Sequence, residues 1–218
     1  MHTRLAFALL FVLCSLPAWP KTQTAPATVS FSLDFPASNP SHYEITVTSD
    51  GHGSYSSNGE LEAGAPPGDT APLPFTVSDK VRDQIFDLAK SANYFSGKVD
   101  SGLTKIANTG TKILTYKDDN RSTQATYNYS LVQPVEQLTS IFQNLSTTLE
   151  FGRRLAFFHK YQKLAIDDDL KRMEELERDQ SLGDVQAIAP VLHAIADDPS
   201  VMRMSRARAL RLLATAGN

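Results

Sequence analysis

Alternating apolar and polar side chains near the start of the chain predict strands that have one buried face. Residues 29–35 alternate in this way until Pro36 ends the pattern, and residues 43–48 repeat the alternation. Asp50-Gly51 favours the positive backbone angles of a tight turn, and residues 54–57 form the return strand. The pattern therefore predicts one strand followed by a β-hairpin.

The middle of the chain combines further strands with one helix. Residues 64–74 contain four prolines and two glycines, which is typical of an exposed loop, and residues 75–77 return to the sheet. Ser78 is a favourable N-cap for an amphipathic helix that ends near Asn93. A second hairpin is predicted after this helix, with its strands at residues 113–116 and 124–129.

From Pro134 onward, apolar residues recur at spacings of three and four, which predicts helices only. The carboxylates of residues 167–169 favour a helix start, Leu182-Gly183 favours a break, and Asp198-Pro199 favours the start of a last helix near Ser200. Together the elements predict an α+β fold. It consists of an antiparallel sheet of β-hairpins packed with helices, followed by an all-helical C-terminal extension.

The N-terminus has the pattern of a cleaved secretory signal peptide. Arg4 supplies the positive charge, residues 5–16 form an apolar run that is too short to span a bilayer, and Pro17 ends that run. We expect cleavage between residues 18 and 27, and therefore a periplasmic or extracellular protein with no transmembrane span in the mature chain. The predicted parts are the signal peptide (1–25), the α+β domain (28–149) and the helical C-terminal extension (150–218).

Cys14 is the only cysteine and lies within the predicted signal peptide. Lipidation of this cysteine is the alternative to its removal, but the preceding Leu13 is larger than the residue that lipidation favours. If Cys14 leaves with the signal peptide, then the mature protein has neither disulfides nor thiol chemistry. The formal net charge of −3 gives no general attraction to nucleic acid, so we expect no nucleic-acid partner.

Part of the chain resembles a known family. The features that carry the resemblance are the strand at residues 43–47 with Asp50-Gly51 after it, the strand at 75–77, the Ser78-capped helix that ends in residues 93–95, and the second hairpin with its following helix. Over about residues 40–149, the order resembles a small domain of unknown function in exported bacterial proteins. The resemblance implies export and an α+β domain. It implies no catalytic residues.

A candidate polar site lies at the first hairpin, where Asp50 and His52 share a turn and Glu60 follows. The alternative is that these residues form the polar tip of a hairpin and have no catalytic role. No two histidines have the i,i+2 or i,i+4 spacing of a local metal site, and there is no Gly-x-Ser-x-Gly motif or phosphate-binding glycine loop. We therefore expect no metal and no cofactor.

A candidate interaction surface lies on the helix that covers residues 151–161, because this helix is apolar on more than one side. Phe157, Phe158 and Tyr161 are the residues that could meet a protein partner through the C-terminal helices. The alternative is that the helix is buried between the sheet and the last helices. The sequence does not indicate an oligomeric state.

The absence of a catalytic motif and the doubly apolar helix together favour a noncatalytic binding or interaction module of the bacterial periplasm or cell surface. One alternative is a hydrolase with its site near the Asp50/His52 turn. Another is an envelope-associated structural protein whose C-terminal arginines contact anionic lipid. These arginines are Arg203, Arg206, Arg208 and Arg211.

Overall fold

The computed structural model describes residues 25–61 and 71–216, and its centre is a six-stranded antiparallel sheet. The strands are β1 (Thr28–Asp34), β2 (His42–Thr48), β3 (His52–Ser57), β4 (Leu73–Thr76), β5 (Thr111–Lys117) and β6 (Ser122–Tyr127). They lie in the order β4-β3-β2-β1-β5-β6, so the first strand of the chain is central and pairs with both β2 and β5. Both predicted hairpins are present.

The two faces of the sheet differ as the alternation predicts. Phe31 of β1 is fully buried and lies in register with Ile45 of β2 and Leu114 of β5, which are also fully buried. The opposite face carries mainly hydroxyl side chains, and the Ser30 and Thr46 hydroxyls are 2.9 Å apart across two strands. Because only one face is apolar, the helices cover the sheet from one side.

Five α-helices accompany the sheet in the described part of the chain, and the predicted α+β class is confirmed. They are α1 (Asp79–Ser91), α2 (Gln133–Tyr161), α3 (Ile166–Arg178), α4 (Ala189–Asp197) and α5 (Arg203–Thr215). Ser78 caps α1 as predicted, since its hydroxyl accepts a hydrogen bond from the backbone nitrogen of Val81 at 3.4 Å. Ile85 and Ala89 form the buried stripe of α1.

Helix α2 crosses the sheet from its edge strand β6 towards β3. The Thr139 hydroxyl lies 2.6 Å from that of Tyr127 in β6, and the Phe142 ring stacks on Phe31 at a centroid distance of 5.4 Å. One turn later, the Ser146 hydroxyl lies 3.0 Å from that of Tyr55 in β3. The helix continues unbroken past residue 150, and its buried residues join those of the sheet and of the C-terminal helices in one core.

The C-terminal helices are joined by ion pairs as well as by apolar contacts. Asp167, Asp168 and Asp169 fall in the first turn of α3, which confirms the predicted helix start. Asp167 accepts from Arg208 at 3.2 Å, while Glu174 binds both Arg208 and Arg211. Helix α5 begins at Arg203, three residues later than expected. The reason is a turn in which the Asp198 carboxylate accepts from the Ser200 nitrogen at 2.8 Å.

Part of what the sequence predicts lies outside the described residues. This applies to residues 1–24 of the predicted signal peptide and to residues 64–70 of the predicted proline-rich loop. Among the helices of the described part, none combines the length and the apolar character that crossing a membrane requires.

Candidate functional site

The predicted site residues Asp50 and His52 are both exposed: Asp50 lies in the turn between β2 and β3, and His52 is the first residue of β3. The Asp50 carboxylate accepts hydrogen bonds from the Thr48 hydroxyl and from the His52 backbone nitrogen, the latter at 3.3 Å. These bonds, with that from Thr48 the largest cause, hold the pKa of Asp50 below its ordinary value. By accepting these two hydrogen bonds, the Asp50 carboxylate closes the turn.

Glu60 is not brought to this turn. It follows β3, whereas His52 begins β3, so the length of the strand separates the two residues. The His52 side chain instead borders a shallow depression of about 270 Å³ together with Pro74, Phe75 and Gln186. None of the described residues that border this depression is a carboxylate. The carboxylate that interacts with His52 is that of Asp50, in the turn itself.

The predicted apolar residues of the C-terminal part are grouped at the end of α2. The Phe157 ring contacts Phe158 at a centroid distance of 5.9 Å and Tyr161 at 5.1 Å. Phe157 and Phe158 are half-buried, and Phe158 packs against the core. Tyr161 is 61% exposed, and the nearby Leu164 is 80% exposed. The exposed part of this surface is therefore small and consists of Tyr161 and Leu164.

A buried polar cluster lies between β3 and α2, and it is formed by Tyr55, Ser57, Ser146, Glu150 and Arg153. The Glu150 Oε1 atom accepts from the Tyr55 hydroxyl at 2.7 Å, from the Ser57 hydroxyl, and from Arg153 Nη1 at 2.9 Å. The Glu150 and Arg153 side chains are 9% and 10% exposed. Because a buried carboxylate is costly without donors, these three bonds account for its stability in the core.

Burial shapes the acid–base behaviour of the tyrosines around this cluster. Burial raises the pKa of Tyr55 far above its ordinary value, and the negative charge of Glu150 raises it further. Burial also raises the pKa of Tyr43, while the Ser146 hydroxyl opposes this change. Both phenols are therefore neutral hydrogen-bonding groups at physiological pH. Arg153 Nη2 is buried and has no hydrogen-bond partner among the described residues.

Next to this cluster opens a cleft of about 420 Å³, which we call the α2–α3 cleft. It lies between the β1–β2 connection, α2 and α3, and its volume is within the range of about 300–1,000 Å³ that is common for small-molecule sites. Its lining residues are Leu33, Ser38, Asn39, Pro40, Tyr43, Gln143, Ser146, Thr147, Glu150, Phe151, Arg154, Arg172 and Leu176. The wall is therefore mostly polar, with a few apolar side chains.

Two arginines distinguish the α2–α3 cleft from an ordinary surface depression. Arg154 Nε donates to Asp169 at 3.0 Å, and the guanidinium carbon lies 4.4 Å from the centre of the Phe151 ring. The two terminal amino groups of Arg154 make no hydrogen bond to any described residue. Arg172 makes neither a hydrogen bond nor an ion pair within the described part of the chain. The cleft thus holds unused donors.

The carboxylate and the phenol that border the α2–α3 cleft are both constrained by their surroundings. Glu150, the carboxylate that borders it, is already engaged by three donors, and Tyr43 is held neutral. A general acid or base would need a pKa near the working pH and a free proton site. Within residues 25–61 and 71–216, no group of three or more His, Cys, Asp or Glu side chains is arranged to hold a metal ion.

Comparison with protein-family models, with curated proteins and with solved structures finds no match.

The residues of the α2–α3 cleft and the buried Glu150 were not among the candidates from the sequence. The cleft joins the β1–β2 connection to Gln143 and Arg172, which are more than a hundred residues away along the chain. One local signal was present. Glu150 lies between Leu149 and Phe151, which are both buried, in a helix that is apolar on more than one side.

Proposed function

We propose that the protein is an exported, noncatalytic binding module of the bacterial periplasm or cell surface, and that it holds a small polar ligand in the α2–α3 cleft. The observation that carries the proposal is the set of unused donors in this cleft. Arg172 and the terminal amino groups of Arg154 have no partner among the described residues, although both arginines border a cavity of small-molecule size.

The hydrolase alternative has less support. The Asp50 carboxylate is occupied by the turn that it closes, and Glu60 lies at the other end of β3. A hydrolytic site needs a nucleophile or an activated water next to a free base. The carboxylate beside His52 in this turn is Asp50, and it already accepts hydrogen bonds from Thr48 and from the His52 backbone nitrogen.

The lipid alternative is weakened by the pairing of the C-terminal arginines. Arg208 binds Asp167 and Glu174, and Arg211 binds Glu174, so their charges are partly neutralised within the protein. The resemblance of residues 40–149 to a domain of exported bacterial proteins stays a prediction, and it agrees with the proposed export.

A protein partner at the C-terminal helices is the second candidate function. The exposed rings and aliphatic side chains at the end of α2, Tyr161 and Leu164, favour it. Sedimentation velocity over a range of concentrations would test self-association through this surface. If two copies meet there, then the double variant Tyr161→Ser/Leu164→Ser sediments as a monomer where the wild type dimerises. A wild type that is monomeric at all concentrations contradicts this form of the second candidate.

The ligand-binding proposal is tested by filling the α2–α3 cleft. In the variant Thr147→Tyr, a large side chain replaces one that borders the cleft and that bonds only to the Gln143 carbonyl of its own helix. Thermal unfolding is measured with sugars, sugar acids, sugar phosphates and amino acids at millimolar concentration. We expect at least one class to raise the midpoint of the wild type, because a ligand that binds the native state stabilises it.

The matched control is Ala156→Tyr, an exposed position on the same helix. It lies nine residues after Thr147, which corresponds to about half a turn around the helix axis. The stabilisation should persist in Ala156→Tyr and disappear in Thr147→Tyr. If no class stabilises the wild type, or if both variants respond equally, then the α2–α3 cleft is not the binding site.

A further inference from the structure

Arg154 presents a preorganised pair of donors to the α2–α3 cleft. Asp169 holds the Nε side of its guanidinium at 3.0 Å, and the Phe151 ring lies 4.4 Å from its central carbon. The planar group is therefore fixed in position, with its two terminal amino groups left without partners in the described structure. Two parallel N–H donors on a rigid guanidinium match the two oxygens of a carboxylate or of a phosphate.

Arg172 of α3, which is an exposed residue, borders the same cleft and carries a second guanidinium. Asp168 and Glu175 are one turn away along α3, yet neither forms an ion pair with Arg172. An arginine that borders a cavity and has no carboxylate partner in the described structure is able to bind an anion from solution. It also does not need to break an existing ion pair to do so.

Among the charged side chains that border the α2–α3 cleft and their ion-pair partners, positive charges exceed negative charges by one. Glu150 is paired with Arg153 at 2.9 Å, and Asp169 is paired with Arg154 at 3.0 Å. Arg172 has no such partner within the described residues. The side chains of the buried pair and of the Arg154–Asp169 pair are shielded from solvent, so salt screens them less than it screens pairs on the open surface. This excess favours an anionic ligand for the cleft.

The rest of the wall consists largely of hydroxyl and amide groups, which suit a ligand that carries several hydroxyl groups. Asn39, Gln143 and Thr147 border the cleft. Amide groups both donate and accept hydrogen bonds, as sugar hydroxyls do. We propose, on the basis of the proposed function, that the ligand is a sugar acid or a sugar phosphate. Its oxyanion binds Arg154 and Arg172, and its hydroxyl groups face the amides.

Isothermal titration calorimetry of the mature protein with three probes tests this inference. The probes are D-glucuronate, D-glucose 6-phosphate and D-glucose, of which the last keeps the hydroxylated ring without an oxyanion. We expect one or both of the anionic probes to bind, and D-glucose to bind at least about tenfold more weakly, because a charge-assisted pair is lost. The anionic probe that binds more tightly shows whether the cleft prefers a carboxylate or a phosphate.

Three variants connect the binding to the arginines. Arg172→Ala should weaken binding of the anionic probe by about tenfold or more, and Arg172→Lys should restore part of it, since the charge returns without the planar donor pair. The matched control is Lys171→Ala, which removes one exposed positive charge from the adjacent position on α3 and outside the cleft. Its affinity should equal that of the wild type.

The outcomes separate this inference from the proposed function. If D-glucose binds as tightly as the anionic probes, or if Arg172→Ala binds the anions as the wild type does, then the oxyanion inference is wrong while a polar binding site remains. If none of the three probes binds, then the inference is overturned. The proposed function then depends on the other ligand classes and on the Thr147→Tyr variant.

Discussion

Breaking the buried ion pair of Glu150 and Arg153 is expected to destabilise the fold strongly, and this expectation can be tested by mutation. Replacing Glu150 by Ala removes the carboxylate and leaves the Arg153 guanidinium only 10% exposed, without its ion-pair partner. It also removes the acceptor of the Tyr55 and Ser57 hydroxyls. Because both charges are about nine-tenths buried, solvent screening offsets little of the loss. We expect the free energy of unfolding to fall by about 3–5 kcal/mol.

Urea unfolding at pH 7, monitored by circular dichroism, measures this loss. In thermal unfolding, the same change should lower the midpoint by roughly 6–20 °C for a chain of this size. The double variant Glu150→Leu/Arg153→Met removes both charges, and Tyr55 retains Ser146 as a partner at 3.0 Å. We expect it to cost about 1–2 kcal/mol, which is less than Glu150→Ala alone, because no buried charge stays unpaired.

The matched control for this experiment is Arg211→Ala, which breaks an ion pair with Glu174 at the surface. Arg211 is 58% exposed, and Glu174 keeps Arg208 as a partner. Its removal should cost at most about 1 kcal/mol. If Glu150→Ala costs as little as this control, or if the double variant is less stable than Glu150→Ala, then the cluster is not the compensated ion pair described above.

Two further predictions concern packing and pH. In Gly183→Ala, the new Cβ would lie 2.5 Å from the backbone nitrogen of Leu145, so the segment around Gly183 or α2 must shift. Urea unfolding should show a loss of about 3 kcal/mol. Gly97→Ala has open space but a φ of +103°, and about 1 kcal/mol is expected; equal losses would contradict the packing argument. Hydrogen bonds from Lys163, from Ser200 and from His159 hold the pKa of Asp198 far below its ordinary value of 3.8. The Asp198 carboxylate therefore stabilises the native state fully above pH 3.8, and this stabilisation is lost as the pH falls towards the native pKa. Asp198→Asn should therefore be less stable than the wild type at pH 7, and urea titrations should show the difference shrinking below pH 3.8; a difference independent of pH would rule this out.

The elements of the fold could be predicted because their signals are local. The period of two in residues 29–35 and 43–48 follows from the pleat of a strand with one buried face, and β1 and β2 are found there. Ser78 was identifiable as a cap because a hydroxyl at that position bonds the free nitrogens of the first helical turn. Each of these signals depends on fewer than about ten neighbouring residues.

The order of the strands and the α2–α3 cleft have no such local signal. The alternation in β5 does not specify that it pairs with β1, which is about eighty residues earlier in the chain. The cleft depends on how closely α3 approaches α2 and the β1–β2 connection. Lys171 and Arg172 are adjacent cations in a charged segment, and only the rotation of α3 about its axis directs one of them to the cleft.

The buried position of Glu150 is an intermediate case. From Leu145 onward, α2 has buried residues on several sides, which include Ser146, Leu149 and Phe151. A helix that is covered in this way has little solvent-facing surface, so a carboxylate within it requires a donor nearby. Arg153, three residues later on the same side of the helix, is the partner that helical geometry provides. If the segment that is apolar on more than one side is extended by one turn before Phe151, then it includes Glu150. The spacing of Glu150 and Arg153 would then have indicated their ion pair. The tyrosine and serine donors from β3 depend on the tertiary packing and would not have followed from it.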